Sequence, residues 1–278
     1  MLLRPSIACA QLPPTCCSSA ITGRFSVQHV WRRHDWGGVN LHGSLLPRHR
    51  GAAPVQWTLL RGDPVAGVSV IHMTPRLDAG PILATASTPV QPDETAAELE
   101  PRLAQLGADI TLPAIELLAD WDGRLPIGTP QDSLLVSRAP RFEKRHGQLD
   151  FRLPARYLSR LVQAVQPWPG AYAELRLAPH KQLRVIVRRS RWSEHALEGA
   201  PGTVRLLTGE QLPWGADERW KSALAVATGR GSFYILEVQP AGKRTMTAAE
   251  FARGHALDEA HFLLPEPPVV PLVDDDEG

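Results

Sequence analysis

The stretch Asn40-Leu41-His42-Gly43-Ser44-Leu45-Leu46-Pro47 sets an amide and an imidazole two residues apart. Side chains alternate between the two faces of a β-strand, so both groups share one face. Gly43 and Pro47 then turn the chain sharply. This leaves a short loop at the C-terminal end of the strand, where open α/β sheets bind ligands. Alone, Asn-x-His is a weak signal, since a histidine beside a turn is more often a satisfied surface or core group than a catalyst.

The flanking sequence supplies the rest of an α/β pattern. Gly67-Val68-Ser69-Val70-Ile71-His72-Met73 and Pro81-Ile82-Leu83-Ala84-Thr85-Ala86 read as strands. Thr95 with Glu98 three residues on has the form of a capping box, and Ala97, Leu99, Leu103 and Leu106 make an apolar stripe up to Gly107. A second helical stretch, 108–119, ends before Asp122-Gly123. Gly123–Lys144, rich in Pro, Gly and charge, is expected to be a domain linker. Tyr157, Leu158, Leu161, Val162 and Val165 then fit a helix ended by Pro167 and Pro169. Five β-type runs follow: Ala171–Leu177, Leu183–Val187, Gly202–Leu207, Ala223–Thr228 and Phe233–Val238. They predict a small barrel of the OB type. No internal repeat is visible. The predicted organisation is therefore an unmatched, disordered segment 1–38, an α/β domain with linker over 39–140, an OB-like domain over 141–262 and an acidic disordered tail over 263–278.

Bulk properties limit the function classes. The 278 residues, 43% hydrophobic and 21% charged, suit one or two globular domains. No run approaches the ~18 apolar residues of a membrane span. Cys9, Cys16 and Cys17 are the only cysteines, so neither a disulfide framework nor a thiolate zinc site is expected, and a reducing, cytoplasmic setting is the default. Residues 1–38 have four arginines and no acid before Asp35. That composition superficially suits an organelle transit peptide but lacks the apolar run of a secretory signal. The net charge of +1 is uneven: −1 over residues 1–140, +7 over 141–260 and −5 over 261–278. A basic block appended to a near-neutral one suggests a polyanion-binding module, against the plainer reading of a solvated basic face.

Two further blocks change the weight of the Asn-x-His pair. Arg48-His49-Arg50-Gly51-Ala52-Ala53-Pro54 follows directly, and Leu77-Asp78-Ala79-Gly80 lies downstream. Together the three blocks resemble the signature of the 10-formyltetrahydrofolate-dependent formyltransferases. In the C-terminal half, Gln166-Pro167-Trp168-Pro169-Gly170-Ala171-Tyr172, Pro201-Gly202-Thr203 and Val238-Gln239-Pro240-Ala241-Gly242-Lys243-Arg244-Thr245-Met246 look like the tRNA-contacting domain of the methionyl-tRNA branch. The resemblance covers roughly Val39 to Ala256. It implies a partial Rossmann-like formyltransferase domain, and transfer of a formyl group from 10-formyltetrahydrofolate to initiator methionyl-tRNA, without a metal. It further implies that Asn40 holds the formyl oxygen, His42 stabilises the oxyanion and Asp78 orients groups and relays the amine's proton. Ser44, Leu45, Leu46 and Pro47 would line the folate site. Arg184, Arg188, Arg189, Arg191, Lys243 and Arg244 are candidate phosphate contacts, each set against a solvated barrel surface. Trp168 reads as core rather than as a base-stacking residue.

The sequence also departs from that family. A nucleotide-fold half with several strand-helix units is expected before the Asn-x-His strand, whereas only 39 residues precede Asn40 and none of them resembles it. The expectation is a fragment with poor or no catalysis. Three other readings stay open: a non-catalytic tRNA-binding remnant, an amino-sugar formyltransferase and a folate-binding or regulatory module.

Overall fold

The computed structural model describes residues 38–215 and 219–273. The disorder expected for 1–37 and for 274–278 lies outside the described residues. In chain order the first half contains β1 (Val39–His42), β2 (Arg50–Gly51), α1 (Pro54–Arg61), β3 (Val65–His72), β4 (Ile82–Pro89), α2 (Ala96–Ala119) and β5 (Arg138–Ala139). The second half contains α3 (Ala155–Ala164), β6 (Ala171–Ala178), β7 (Lys181–Ser193), β8 (Val204–Thr208), β9 (Ser222–Ala227), β10 (Ser232–Pro240), β11 (Met246–Thr247), α4 (Ala248–Gly254) and β12 (His261–Phe262). The chain divides into two compact units. One comprises residues up to Pro54, Val65–Pro89 and Pro101–Pro140; the other comprises Val55–Pro64, Val90–Glu100 and everything from Arg141 on.

In the first unit β1, β3 and β4 form an antiparallel sheet in that order. β3 sits in the middle, and Ala66 through Ile71 are buried without a break, which explains a run of small and β-branched residues rather than strict alternation. Its register sets Ile71 opposite Asn40 and Ser69 opposite His42.

Where the periodicity suggests two helical stretches meeting at Gly107, the structure has the single 24-residue α2, with Pro101 and Pro113 inside it. Gly107 is a packing requirement rather than a stop: a Cβ there would come within 2.4 Å of Leu41 Cδ2. The start of α2 follows the sequence signal. Glu98 Oε2 accepts from Thr95 N at 2.9 Å and from Thr95 Oγ1 at 2.8 Å, which supplies partners otherwise missing at a helix N-terminus.

The stretch read as a linker is bonded into the first unit along much of its length. Ile82 and Thr129 exchange two backbone hydrogen bonds of 2.8 Å, and β5 pairs in parallel with β2. Composition gave no warning, because what orders this segment is the supply of distant backbone partners rather than its own periodicity.

The second unit is a curled seven-stranded sheet with the order β12-β6-β7-β10-β9-β8, and β11 on β10. A bridge between Thr203 and His261 joins its two ends, closing an OB-like barrel. All five expected strands are present. The α3 face anticipated from Tyr157, Leu158, Leu161, Val162 and Val165 is buried, whereas Trp168, expected in the core, is 55% exposed. Phe151 anchors the barrel interior, with ring centroids 4.7 Å from Phe262 and 5.9 Å from Phe233. Burying each such ring contributes roughly 1.5–3 kcal/mol.

Residues 263–273 are not a free tail, which corrects that part of the expectation. Leu263 N donates to Glu174 O, Val269 N to the buried Asp150 carboxylate at 3.0 Å and Leu272 N to the Tyr157 hydroxyl at 3.1 Å. Arg152 ties Asp150 to the Pro265 carbonyl. A Pro-rich composition predicts disorder, but partners elsewhere in the unit satisfy the backbone.

Within the second unit Arg189 grips the Glu98 carboxylate with both terminal nitrogens, and its hydrogen bond is the main reason that the Glu98 pKa lies at about 2 rather than 4.5. A carboxylate with a depressed folded pKa contributes stability above its unfolded pKa and loses it as pH falls through the folded value. Glu98 is 45% exposed, so solvent screening holds the contribution to about 1 kcal/mol or less. Urea unfolding at pH 7 is therefore expected to show Glu98→Gln less stable by up to about that amount, with the gap closing between pH 4.5 and 2.

Candidate active site

β1 alternates as its sequence requires. Leu41 lies over Gly107, while Asn40 and His42 share the other face. After His42 the chain turns through a loop held from within. Ser44 Oγ donates to Arg48 O at 2.6 Å, and the buried Ser69 donates to Ser44 O at 2.8 Å while accepting the Leu46 N–H at 3.0 Å. The Leu46–Pro47 peptide is cis. The loop delivers His49 in a left-handed conformation, φ 59°, with its carbonyl 2.9 Å from His42 Nε2. A carbonyl can only accept, so Nε2 carries a proton and Nδ1 is the variable position on the ring.

Asp78 comes to the same place from the loop after β3. It too is left-handed, φ 50°, and its Oδ2 lies 3.7 Å from His42 Nδ1. The same oxygen accepts the Gly51 N–H at 2.9 Å, and Oδ1 accepts from Asn40 Nδ2 at 3.4 Å. Gly51 has φ 136°, and a Cβ on it would lie 2.4 Å from the Ala139 carbonyl. Only glycine delivers that N–H here.

Burial holds the His42 pKa below the ordinary histidine value. The negative charge of Asp78 and the His49 carbonyl oppose this, whereas His49 and Arg50 add to it. Burial likewise lowers the Arg50 pKa against the pull of Asp78. The neutral ring thus dominates near pH 7, with a lone pair on Nδ1 beside a carboxylate. One amide donor, one basic ring nitrogen and one carboxylate are the groups that acyl transfer to an amine needs: a donor for the oxyanion and an acceptor for the proton.

The structure therefore brings Asn40, His42 and Asp78 together. Of the residues expected to line a folate site, Leu45 and Pro47 are half-buried, whereas Ser44 and Leu46 are buried. The Ser44 hydroxyl is engaged within the loop, so of the four expected residues Leu45 and Pro47 offer the more exposed side chains.

In the second unit Arg184 bonds Glu174 and lies over the Tyr172 ring. Arg188 bonds Gln239, whose amide donates to Lys243 O. Arg244 bonds Glu250 and is 71% exposed. These four basic residues group around the β7–β10 pairing. Arg189 and Arg191 do not join them. They are 19% and 24% exposed, against 53% and 71% for Arg184 and Arg244, and are paired with Glu98 and Asp93, which weighs against the expectation that they contact phosphates.

Residues that sequence reading missed as site components are His49, Gly51, Ser69, Gln131 and Ser137. Gln131 Nε2 donates to both Asp78 O at 2.9 Å and Gly80 O at 2.7 Å, and its Oε1 accepts from Arg50 Nε and Nη2 at 3.0 and 2.6 Å. Ser137 Oγ accepts the His49 N–H at 2.9 Å. Contacts this distant in sequence leave no local signal, although Arg48-His49-Arg50-Gly51 stood out as a block. Among the described residues no group of three or more His, Cys, Asp or Glu is arranged to hold a metal ion, and no helix is long and apolar enough to cross a membrane.

Comparison with known proteins gives the site a context. Residues 20–115 match the family described as formyl transferase, and residues 141–256 match the formyl transferase C-terminal domain. A methionyl-tRNA formyltransferase of Rhodopirellula baltica is 44% identical over 232 residues, covering 82% of this chain and 65% of that protein. One from Myxococcus xanthus is 41% identical over 251 residues, covering 89% of this chain and 72% of that protein. The chain thus spans 65% of the first relative's length. Among solved structures, HypX from Aquifex aeolicus in complex with tetrahydrofolic acid has a TM-score of 0.54 at 21% identity, over 81% of this chain and 36% of that one, a likeness of fold alone. Identity of this order, running through both domains, makes the chain a member of the formyltransferase family, on its methionyl-tRNA formyltransferase branch.

Proposed function

We propose that this chain transfers a formyl group from 10-formyltetrahydrofolate to the amino group of initiator methionyl-tRNA, in the cytoplasm. The observation that carries the reading is the convergence of Asn40, His42 and Asp78 from two separate segments, with His42 Nδ1 3.7 Å from the carboxylate. Relatives named for this reaction support it.

In the transfer, the amine nitrogen bonds to the formyl carbon and the carbonyl electron pair moves onto oxygen. The bond from that carbon to the folate nitrogen then breaks, the pair returning to the nitrogen. Over the whole step one proton leaves the amine and one reaches the departing nitrogen. Asn40 Nδ2, whose 3.4 Å contact with Asp78 is long, is free to turn and donate to the developing oxyanion. His42 takes the amine's proton on Nδ1, since Nε2–H is already committed to the His49 carbonyl. The resulting imidazolium is stabilised by Asp78 and adds positive charge beside the oxyanion. Leu45 and Pro47, with the loop backbone, form a surface for the ring system of the donor. Arg184, Arg188, Lys243 and Arg244 meet tRNA phosphates.

Three outcomes follow. Single-turnover formylation of methionyl-tRNA by the purified chain should fall by at least about 100-fold in His42→Gln and Asp78→Asn, with tRNA affinity unchanged; salt-sensitive tRNA binding without any formyl transfer by the wild type would overturn the reading. Because burial lowers the His42 pKa, activity should rise with pH along a limb centred below the ordinary histidine value, measured as kcat/KM between pH 5 and 8. Filter binding of tRNA at several salt concentrations should show a log-log slope shallower by about one for Lys243→Ala, whereas Arg189→Ala leaves the slope unchanged and lowers stability.

A further inference from the structure

The two catalytic segments both place a non-glycine residue in the left-handed region, His49 at φ 59° and Asp78 at φ 50°. Such residues hold that conformation only where their surroundings over-determine it. In both cases the surroundings are the same short stretch, residues 129–139. Gln131 captures the carbonyls on either side of Ala79, those of Asp78 and Gly80, with one amide group. Ser137 captures the His49 N–H at 2.9 Å and lies 3.4 Å from His49 Nδ1. The stretch is itself anchored, by Thr129 on Ile82, by Arg50 N donating to Ser137 O at 2.9 Å and by Ala53 N donating to Ala139 O at 3.1 Å. The Gln131 oxygen also holds the Arg50 guanidinium, and Arg50 immediately precedes the glycine whose N–H meets the Asp78 carboxylate.

We propose that Gln131 and Ser137 are positioning residues for the transfer. Gln131 fixes the Asp78 carboxylate against His42 Nδ1, and Ser137 fixes the His49 carbonyl that keeps the proton on His42 Nε2. Neither touches a reacting atom. Gln131 acts through the backbone of the Asp78 loop, and Ser137 through that of His49. Gln131 cannot be replaced by a carboxylate, because both of its partners on that side are carbonyl oxygens and need a donor. The kinetic part of this inference rests on the formyl-transfer reading; the geometric part does not.

The test is the titration of the His42 ring by NMR in the full chain with labelled histidine, the signal identified by its loss in His42→Gln. The groups that bear on the ring are Asp78, His49 and Arg50. Of the charges, Asp78 raises its pKa, so Asp78→Asn must lower the midpoint. Gln131→Met keeps the volume, adds no charge and removes both donors. Gln131→Ala serves as the larger perturbation. The expected result is a midpoint moved towards that of Asp78→Asn in both, together with a fall in kcat on the order of 100-fold and a change in KM within about threefold. Ser137→Ala should also lower kcat more than it alters KM. A folded Gln131→Met protein whose His42 titrates as in the wild type overturns the proposal, even if formyl transfer by the wild type is established. A shifted midpoint upholds the positioning role even if the wild type proves to act on another acceptor.

Discussion

The hydrogen bond from His42 Nε2 to the His49 carbonyl, 2.9 Å long, fixes which ring nitrogen carries the proton and which keeps a lone pair. Without it the imidazole could present either tautomer to Asp78, and a neutral ring with Nδ1–H would have no lone pair facing the site. With it, the lone pair lies on the nitrogen beside the carboxylate. Most of the first unit bears on that bond. Ser69 ties down the turn between His42 and His49, β1 fixes the ring's starting point against β3, and the β2–β5 pairing fixes the chain just beyond His49. Burial of the ring lowers its pKa and favours the neutral form.

In the second unit the arginines differ in exposure rather than in pairing, since Arg184 and Arg244 also hold carboxylates yet stay more than half exposed. Neighbouring residues on β7 meet different surroundings. Arg188 reaches Gln239 and the turn carrying Lys243, whereas Arg189 and Arg191 reach the carboxylates of Glu98 and Asp93. A surplus of basic residues is therefore not a map of where a polyanion sits. The more exposed basic side chains lie around the β7–β10 pairing, whereas Arg189 and Arg191 are held largely within the unit.

Strand positions, the helix start at Thr95 and the Asn-x-His face were legible because each follows from local alternation, spacing or capping. The convergence of Asp78 with His42 was accessible only through the resemblance, since nothing in a Leu-Asp-x-Gly turn says what it faces. Three features were misread for one physical reason. The single α2, the bonded stretch 129–139 and the docked residues 263–273 all contain prolines or glycines that usually interrupt structure. In the latter two, contacts from far along the chain supply the partners that local sequence does not. Ser44, Leu46, Arg189 and Arg191 carried the right chemistry for a ligand, but their burial and internal partners could not be read from their identity.

The docking of both ends of one short stretch carries a consequence for how the protein can vary. Gln131 and Ser137 grip two different loops at once, so the five residues between them work as a ruler. Lengthening or shortening the chain elsewhere, between Trp121 and Ile127 for example, only changes the path to the first grip. An insertion or deletion inside the interval would pull one loop out of register with the other, and His42 and Asp78 would part although neither had been altered.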